Sequence, residues 1–254
     1  MLDQLNIGLI GHGHLGQHIE NILKQQGFTV RTSEKRADGT YNNAEIAAWA
    51  DKLLLTVKPT QVDAVIEDIC GKIKNGAEVI SFAAAYPLRD LEEKMNAPVA
   101  RAMTDIENYG STLYLGSEQA QQLMRHLSLY ASTTNREADV DDCTVGEACF
   151  PGIAAWQLLN NSVNASTWLQ GYIDWMDQAK GIDKRATTGI WDAVLQQGQF
   201  ANKLKAVATG KGITAEMVKA LNEGERDYGK IFGAGERRIA EIVEECGTIK
   251  KNVV

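Results

Sequence analysis

Leu5-Asn6-Ile7-Gly8-Leu9-Ile10-Gly11-His12-Gly13-His14-Leu15-Gly16 decides the fold. An apolar run of strand length meets Gly-x-Gly-x-x-Gly, after which Leu15, Ile19, Ile22 and Leu23 recur at helical spacing. Gly11 permits a tight turn, Gly13 lets a pyrophosphate approach bare backbone, and Gly16 lets the new helix lie close to the strand. The helix points free N–H groups and the positive end of its dipole at the phosphates. The same glycines would also suit a merely tight strand–helix turn. The strand pattern before them and the helix pattern after select dinucleotide binding, with Gly11, Gly13, His14, Leu15 and Gly16 facing the cofactor.

The rest of the composition narrows the class. A chain of 254 residues, 44% hydrophobic and 23% charged, has the make-up of an ordinary soluble globular protein. Its net charge of -7 argues against nucleic acid or an anionic membrane as partner. The four cysteines, Cys70, Cys143, Cys149 and Cys246, form no Cys-x-x-Cys pair, which suits a reducing cytoplasm rather than a disulfide or zinc framework. No apolar run reaches spanning length and the start lacks a basic flank with a long apolar core, so a cytoplasmic location is expected. His14 and His18 stand one helical turn apart, but the loop already has a task, and no metal site is expected.

Beyond Gly27 the short strand Phe28-Thr29-Val30 leads to the residues that choose the dinucleotide. An NAD enzyme would carry Asp or Glu at that strand end, for the ribose hydroxyls. Here Arg31-Thr32-Ser33 is followed by Glu34-Lys35-Arg36. Arg31 and Ser33 suit a 2′-phosphate, so NADP(H) is favoured over NAD(H); a solvated basic turn is the plainer alternative. A short helix is expected over 43–50, a strand over 53–57 stopped by Lys58-Pro59, and a helix over 61–73. Strand 79–82, helix 88–95 and strand 98–103 follow. This alternation implies a parallel sheet with right-handed crossovers, its ligand at the carboxyl ends of the strands.

Residues Ala50-Asp51-Lys52-Leu53-Leu54-Leu55-Thr56-Val57-Lys58-Pro59 closely resemble the segment aDvvxLavKP of the pyrroline-5-carboxylate reductases. Asn43 stands eight residues before Asp51, as does that family's cofactor-contacting asparagine. Val79–Ala85 is similar to its next strand, Arg101-Ala102-Met103 to its RvM, and Thr209-Gly210-Lys211-Gly212-Ile213-Thr214 to its substrate loop. The resemblance implies that Asn43, Val57, Lys58 and Pro59 join the cofactor site. It also departs in places: Met103-Thr104-Asp105-Ile106 replaces M-P-N-T, Ala85 replaces a glycine, and Ala148-Cys149-Phe150-Pro151-Gly152 keeps only the proline of G-S-G-P-A. The substrate half diverges more than the cofactor half.

A strand over 111–115, a helix over 117–131 and a last strand over 133–138 complete the first half. From about Val140 the pattern is helical, with Pro151 suited to a first turn. The fold class is therefore an α/β Rossmann-type N-terminal domain over 1–139 and an all-α C-terminal dimerisation domain over 140–254. Trp168, Tyr172, Trp175 and Ala179 mark one broad apolar face. It could be intramolecular core, but a helical half of this size must bury it somewhere, and the resembling family interlocks this region between subunits. A homodimer, or a larger homo-oligomer, is expected.

In the resembling reductases the nicotinamide reduces a cyclic C=N, converting pyrroline-5-carboxylate to proline. The resemblance makes Thr214 the catalytic group toward the imine nitrogen, and Thr209, Gly212 and Ile213 the seat of a small imino acid's carboxylate. Read without it, Thr214 is an N-cap for a helix over 215–221 with no ligand, the better reading on those residues alone. Three other readings compete. A non-catalytic NADP(H)-binding sensor or scaffold would explain the altered substrate half, and an imine of secondary metabolism would explain it with catalysis kept. The β-hydroxyacid dehydrogenases share the glycine loop, but residues 151–179 contain no lysine to serve as their acid/base group. Cys149 has no visible base beside it and is expected to be a small buried residue.

Overall fold

The computed structural model describes residues 5–104, 111–116, 123–125, 127, 130–134, 136–208 and 210–249. Strands β1 (Asn6–Ile10), β2 (Thr29–Thr32), β3 (Lys52–Leu55), β4 (Glu78–Ser81) and β5 (Val99–Thr104) alternate with helices α1 (His14–Gln25), α2 (Asn43–Trp49), α3 (Val62–Ile69) and α4 (Leu88–Lys94). Strands β6 (Ser111–Gly116) and β7 (Tyr130–Thr133) complete a sheet of order β2-β1-β3-β4-β5-β6-β7. The first five strands are parallel. Sequence order reverses between β1 and β3, which makes their carboxyl ends the crevice where ligands of such sheets bind.

Side-chain alternation sorts the two faces. Ile7, Leu9 and Leu54 pack with Ile19 and Leu23 of α1, while Leu53, Leu55 and Val79 pack with Ile46, Val62, Ile66 and Leu91. Both faces are covered, so the central strands are apolar throughout, as parallel strands must be.

Two expectations for the sheet need correction. β6 runs antiparallel to β5 rather than extending a parallel sheet. Only residues 105–110 separate the two strands, too few for a helical crossover. The last strand ends at Thr133, and residues from Glu137 onward are helical instead of extended to 138. Acidic Glu137 and Asp139 in the first turn of that helix favour it there. The helix expected over 117–131 lies mostly outside the described residues; Leu123, Met124 and Leu127 are buried with the α1 face.

The second half is helical: α5 (Glu137–Cys143), a π-helical turn over Thr144–Ala148, α6 (Phe150–Asn160), α7 (Ala165–Lys180), α8 (Lys184–Gln197), α9 (Phe200–Val207), α10 (Ile213–Asn222) and α11 (Tyr228–Ile249). It is joined to the sheet by one continuous apolar cluster, from Ile10 and Leu55 through Tyr86 to Phe150, Tyr172 and Phe232. Arg101 of β5, 1% exposed, adds a polar tie: it pairs with Glu137 at 2.9 Å and with Asp141. The broad aromatic face of α7 does not wait for a second copy. Tyr172 is fully buried, Trp168 packs edge-on against Tyr228 with centroids 5.1 Å apart, and Trp175 packs against Phe232 at 5.5 Å. Helix α11 of the same chain thus covers the surface on which the dimer expectation partly rested; Ala179 is exposed. Among the described residues no helix is long and apolar enough to cross a membrane.

Candidate functional site

The glycine loop is built by close approach. Gly11 has φ +104°, and a Cβ there would sit 2.8 Å from backbone atoms of Thr56 and Val57. A Cβ on Gly16 would collide with the Gly11 carbonyl oxygen and lie 2.9 Å from Thr56 Oγ1. Both glycines are therefore demanded by packing. Gly13 is different: a Cβ there would meet nothing within 4 Å. It caps α1 with no side-chain hydrogen bond, and the first turn carries no acidic residue. Open space before uncapped amides at the switch point of the sheet fits a pyrophosphate. His14 is exposed at the first helical position and Leu15 is half-buried behind it.

Thr56 holds this loop, and sequence reasoning missed it. Its N–H donates to Ile10 O at 2.9 Å and its hydroxyl to Gly11 O at 2.5 Å. The available signal was a lone polar residue in the run Leu53–Val57. Val57 is half-buried beside Gly11, Lys58 is exposed, and Pro59 opens a 3-10 turn over Pro59–Gln61. That turn packs against α11.

At the end of β2 the guanidinium of Arg31 stacks over the Trp49 ring, 4.3 Å from its centroid, and the residue stays exposed. Ser33 is placed differently from an open phosphate ligand. It is buried, and its hydroxyl donates to Asn43 Oδ1 at 2.5 Å. Asn43 is buried at the start of α2 and donates in turn to Asp68 at 2.9 Å. This chain fixes the β2–α2 corner. The exposed polar groups there are Glu34, Lys35 and Arg36, the last paired with Glu45.

On the substrate side, Thr209 lies outside the described residues. Gly212, with ψ 166°, is the N-cap of α10, so Thr214 is not the cap expected from sequence. The extended conformation at Gly212 starts the helix at Ile213 and turns Thr214 inward, 6% exposed. Its methyl packs where a side chain on Gly152 would stand, and its side chain lies beside the Cys149 thiol. Burial pushes that thiol up to about 11, with Thr214 opposing. Cys149 is thus a buried thiol rather than a nucleophile at neutral pH. The first-turn amides of α10 have no side-chain cap, which leaves them able to hold a carboxylate. The Arg238 guanidinium donates to Lys211 O at 2.9 Å and pairs with Glu241 and Glu245, bracing the loop.

Between the halves, Ala84 and Ala148 both pack on the small cluster of Met103, Val140 and Cys143. Ala148 precedes Cys149, so this contact links the carboxyl end of the sheet to the buried neighbours Cys149 and Thr214. The π-helical turn, closed by Cys149 N–H to Thr144 O at 3.1 Å, sets Cys149 in place. Ala85, buried, takes φ +62° in the stretch that leads there. Among the described residues no cluster of three or more His, Cys, Asp or Glu could hold a metal ion.

A Rossmann-type sheet carrying a helical second half is a dinucleotide-fold architecture, and the comparisons narrow it. No family model matches the chain. Pyrroline-5-carboxylate reductase of Pseudomonas aeruginosa is 26% identical over 272 aligned positions, 95% of this chain and 98% of that one. A mouse NADP-dependent oxidoreductase domain-containing protein 1 is 30% identical over 107 residues, covering 36% of this chain and 29% of its own length. Among solved structures, Plasmodium falciparum pyrroline carboxylate reductase with NADP bound superposes with a TM-score of 0.56 at 16% identity, over 96% of this chain and 99% of that one. Over most of its length the chain is similar to curated pyrroline-5-carboxylate reductases, at 22–26% identity.

Proposed function

We propose that this chain is an NADPH-dependent reductase of a cyclic imine, of the pyrroline-5-carboxylate type or a related C=N compound. The observation that carries the reading is the near full-length likeness to reductases of that name, joined to a glycine loop open only at Gly13. NADP(H), rather than NAD(H), is supported by exposed Arg31 and by the NADP-bound structural neighbour. Gly11, Gly13, His14, Leu15 and Gly16 would hold the pyrophosphate side, and Val57, Lys58 and Pro59 the stretch toward the nicotinamide. Ser33 and Asn43 act here by shaping the β2–α2 corner. The bound nicotinamide would supply the hydride. The chain's own contribution is positional: α10 amides at Ile213 and Thr214 seat a carboxylate, and the Thr214 hydroxyl turns from Cys149 toward the imine nitrogen. A cytoplasmic homo-oligomer remains part of the proposal, resting on the family likeness.

The test is NADPH oxidation with pyrroline-5-carboxylate and other cyclic imines. Thr214→Ala should lower kcat at least tenfold, the scale of one lost transition-state hydrogen bond, and leave the Kd for NADPH within about twofold. Loss of NADPH binding in that variant would undo the assignment of Thr214. One observation favours a second reading, a cofactor-binding protein without turnover. Thr214 is buried against Cys149, and Phe150, fully buried, stands where the resembling family has glycine. NADPH binding with no oxidation of any cyclic imine would decide for it.

A further inference from the structure

Just past β4 the chain turns a sharp corner over Ala83–Tyr86, closed by Tyr86 N–H donating to Ala83 O at 3.4 Å. Ala85 stands at i+2 of that turn with φ +62°, a shape for which type II turns use glycine. For alanine it is disfavoured by about tenfold against right-handed backbone. The corner is held from its last residue, and Ala83, Ala85 and Tyr86 are all buried. The Tyr86 hydroxyl donates to Asp63 Oδ1 at 2.7 Å and accepts from Lys94 Nζ at 2.7 Å, while Lys94 also pairs with Asp63. Burial and the Asp63 carboxylate push the phenol well above its ordinary range, so it stays protonated and keeps donating. Pro87 follows and disfavours helical backbone at Tyr86.

We infer that Tyr86 is a positioning residue for the nicotinamide end of the cofactor site, its bonded hydroxyl holding Ala85 in the left-handed shape. This rests on the dinucleotide reading proposed above. The corner stands at the carboxyl end of β4, beside that of β3, where Phe82 N–H donates to Leu55 O at 2.8 Å. Val57 and Ala84 pack against one apolar cluster together with Cys149 and Ile213. Asp63 lies in the first turn of α3, directly after the Pro59–Gln61 turn. One hydroxyl thus ties the β4 corner to the Val57–Pro59 stretch, which that reading sets toward the nicotinamide. Glycine at 85 would keep the same shape unaided, whereas alanine needs the tether. The effect of removing the hydroxyl therefore depends on which residue occupies position 85.

The test is the Kd for NADPH and for 2′-phospho-ADP-ribose, which lacks the nicotinamide, measured by quenching of tryptophan fluorescence. Tyr86→Phe removes the hydroxyl and keeps the ring, with circular dichroism as the check on folding. Its Kd for NADPH should rise about fivefold, within the cost of a left-handed alanine. Its Kd for 2′-phospho-ADP-ribose should stay within about twofold of wild type. Ala85→Gly should bind both ligands as wild type does. In that background Tyr86→Phe should change neither Kd by more than about twofold, because glycine keeps the turn by itself. Equal losses for the two ligands, or the same loss with alanine and with glycine at 85, overturn the inference. If Tyr86→Phe alone fails to fold, the double variant should fold and bind as wild type does, and its failure also overturns the inference. If the wild-type protein binds neither ligand, the proposed function falls and this inference with it; if it binds both and Tyr86→Phe is unchanged, only the inference falls.

Discussion

Gly13 and Gly16 stand three residues apart in one motif, yet the structure gives them opposite duties, and alanine at each separates the two. On Gly16 a methyl would overlap the Gly11 carbonyl oxygen and press on Thr56 Oγ1 at 2.9 Å. The carbonyl is backbone and is held by the Thr56 hydroxyl at 2.5 Å, so no rotamer change relieves the clash. Overpacking of that kind costs about 3 kcal/mol, which for a chain of this size lowers Tm by roughly 6–12 °C. On Gly13 the methyl meets nothing within 4 Å and the residue's φ of -78° is open to alanine. Only the weaker N-cap preference is lost, under about 1 kcal/mol. The same methyl would occupy the space assigned to the pyrophosphate, so the Kd for NADPH should rise at least tenfold. Thermal unfolding and fluorescence titration read the two effects. Undiminished NADPH affinity in Gly13→Ala would refute the placement of the phosphates, and a Tm shift below about 2 °C in Gly16→Ala would refute the strand–helix contact as a constraint.

Two further predictions draw on groups away from the loop. Cys70 is exposed whereas Cys143, Cys149 and Cys246 are buried, so a thiol reagent at pH about 8 should modify one cysteine quickly and the others only on unfolding. Fast modification of Cys149, located by peptide mapping, would contradict the burial that raises its thiol to about 11. Asp51 is desolvated, which raises its carboxyl, but Lys74 and the Asn6 amide together outweigh this and hold it below the ordinary aspartate value. A depressed carboxyl contributes stability above its unfolded pKa and loses it as pH falls through the folded one. The stability advantage of wild-type over Asp51→Asn, followed by urea unfolding, should therefore fade as pH is lowered from about 6 to 3; a constant difference would show that the carboxylate gains nothing from these partners.

The cofactor half was largely legible because its constraints are local. Strand period, glycine spacing and the Lys58-Pro59 stop each act over a few residues, and β1, α1 and β3 lie where those signals put them, within a few residues. What escaped depends on distant parts of the chain. The antiparallel return of β6 follows from the six residues between it and β5, a constraint set by loop length and not by strand period. Ser33 looked like an open hydroxyl because its partner, Asn43, comes ten residues later. Thr214 looked like a cap because threonine before a helix usually is one; Gly212 took that role and the threonine turned toward Cys149. The aromatic face of α7 was readable as apolar, but nothing in its spacing says that α11, more than fifty residues on, would cover it.

Ala85 carries a wider consequence. A buried alanine holding φ +62° occupies a backbone shape that glycine would adopt with less strain. The shape stands here without the residue that ordinarily signals it. A motif scan that insists on glycine there passes over chains of this kind, whereas a comparison of torsion angles would retrieve them. Kinship in this group of folds is then better measured in dihedral space than in letters.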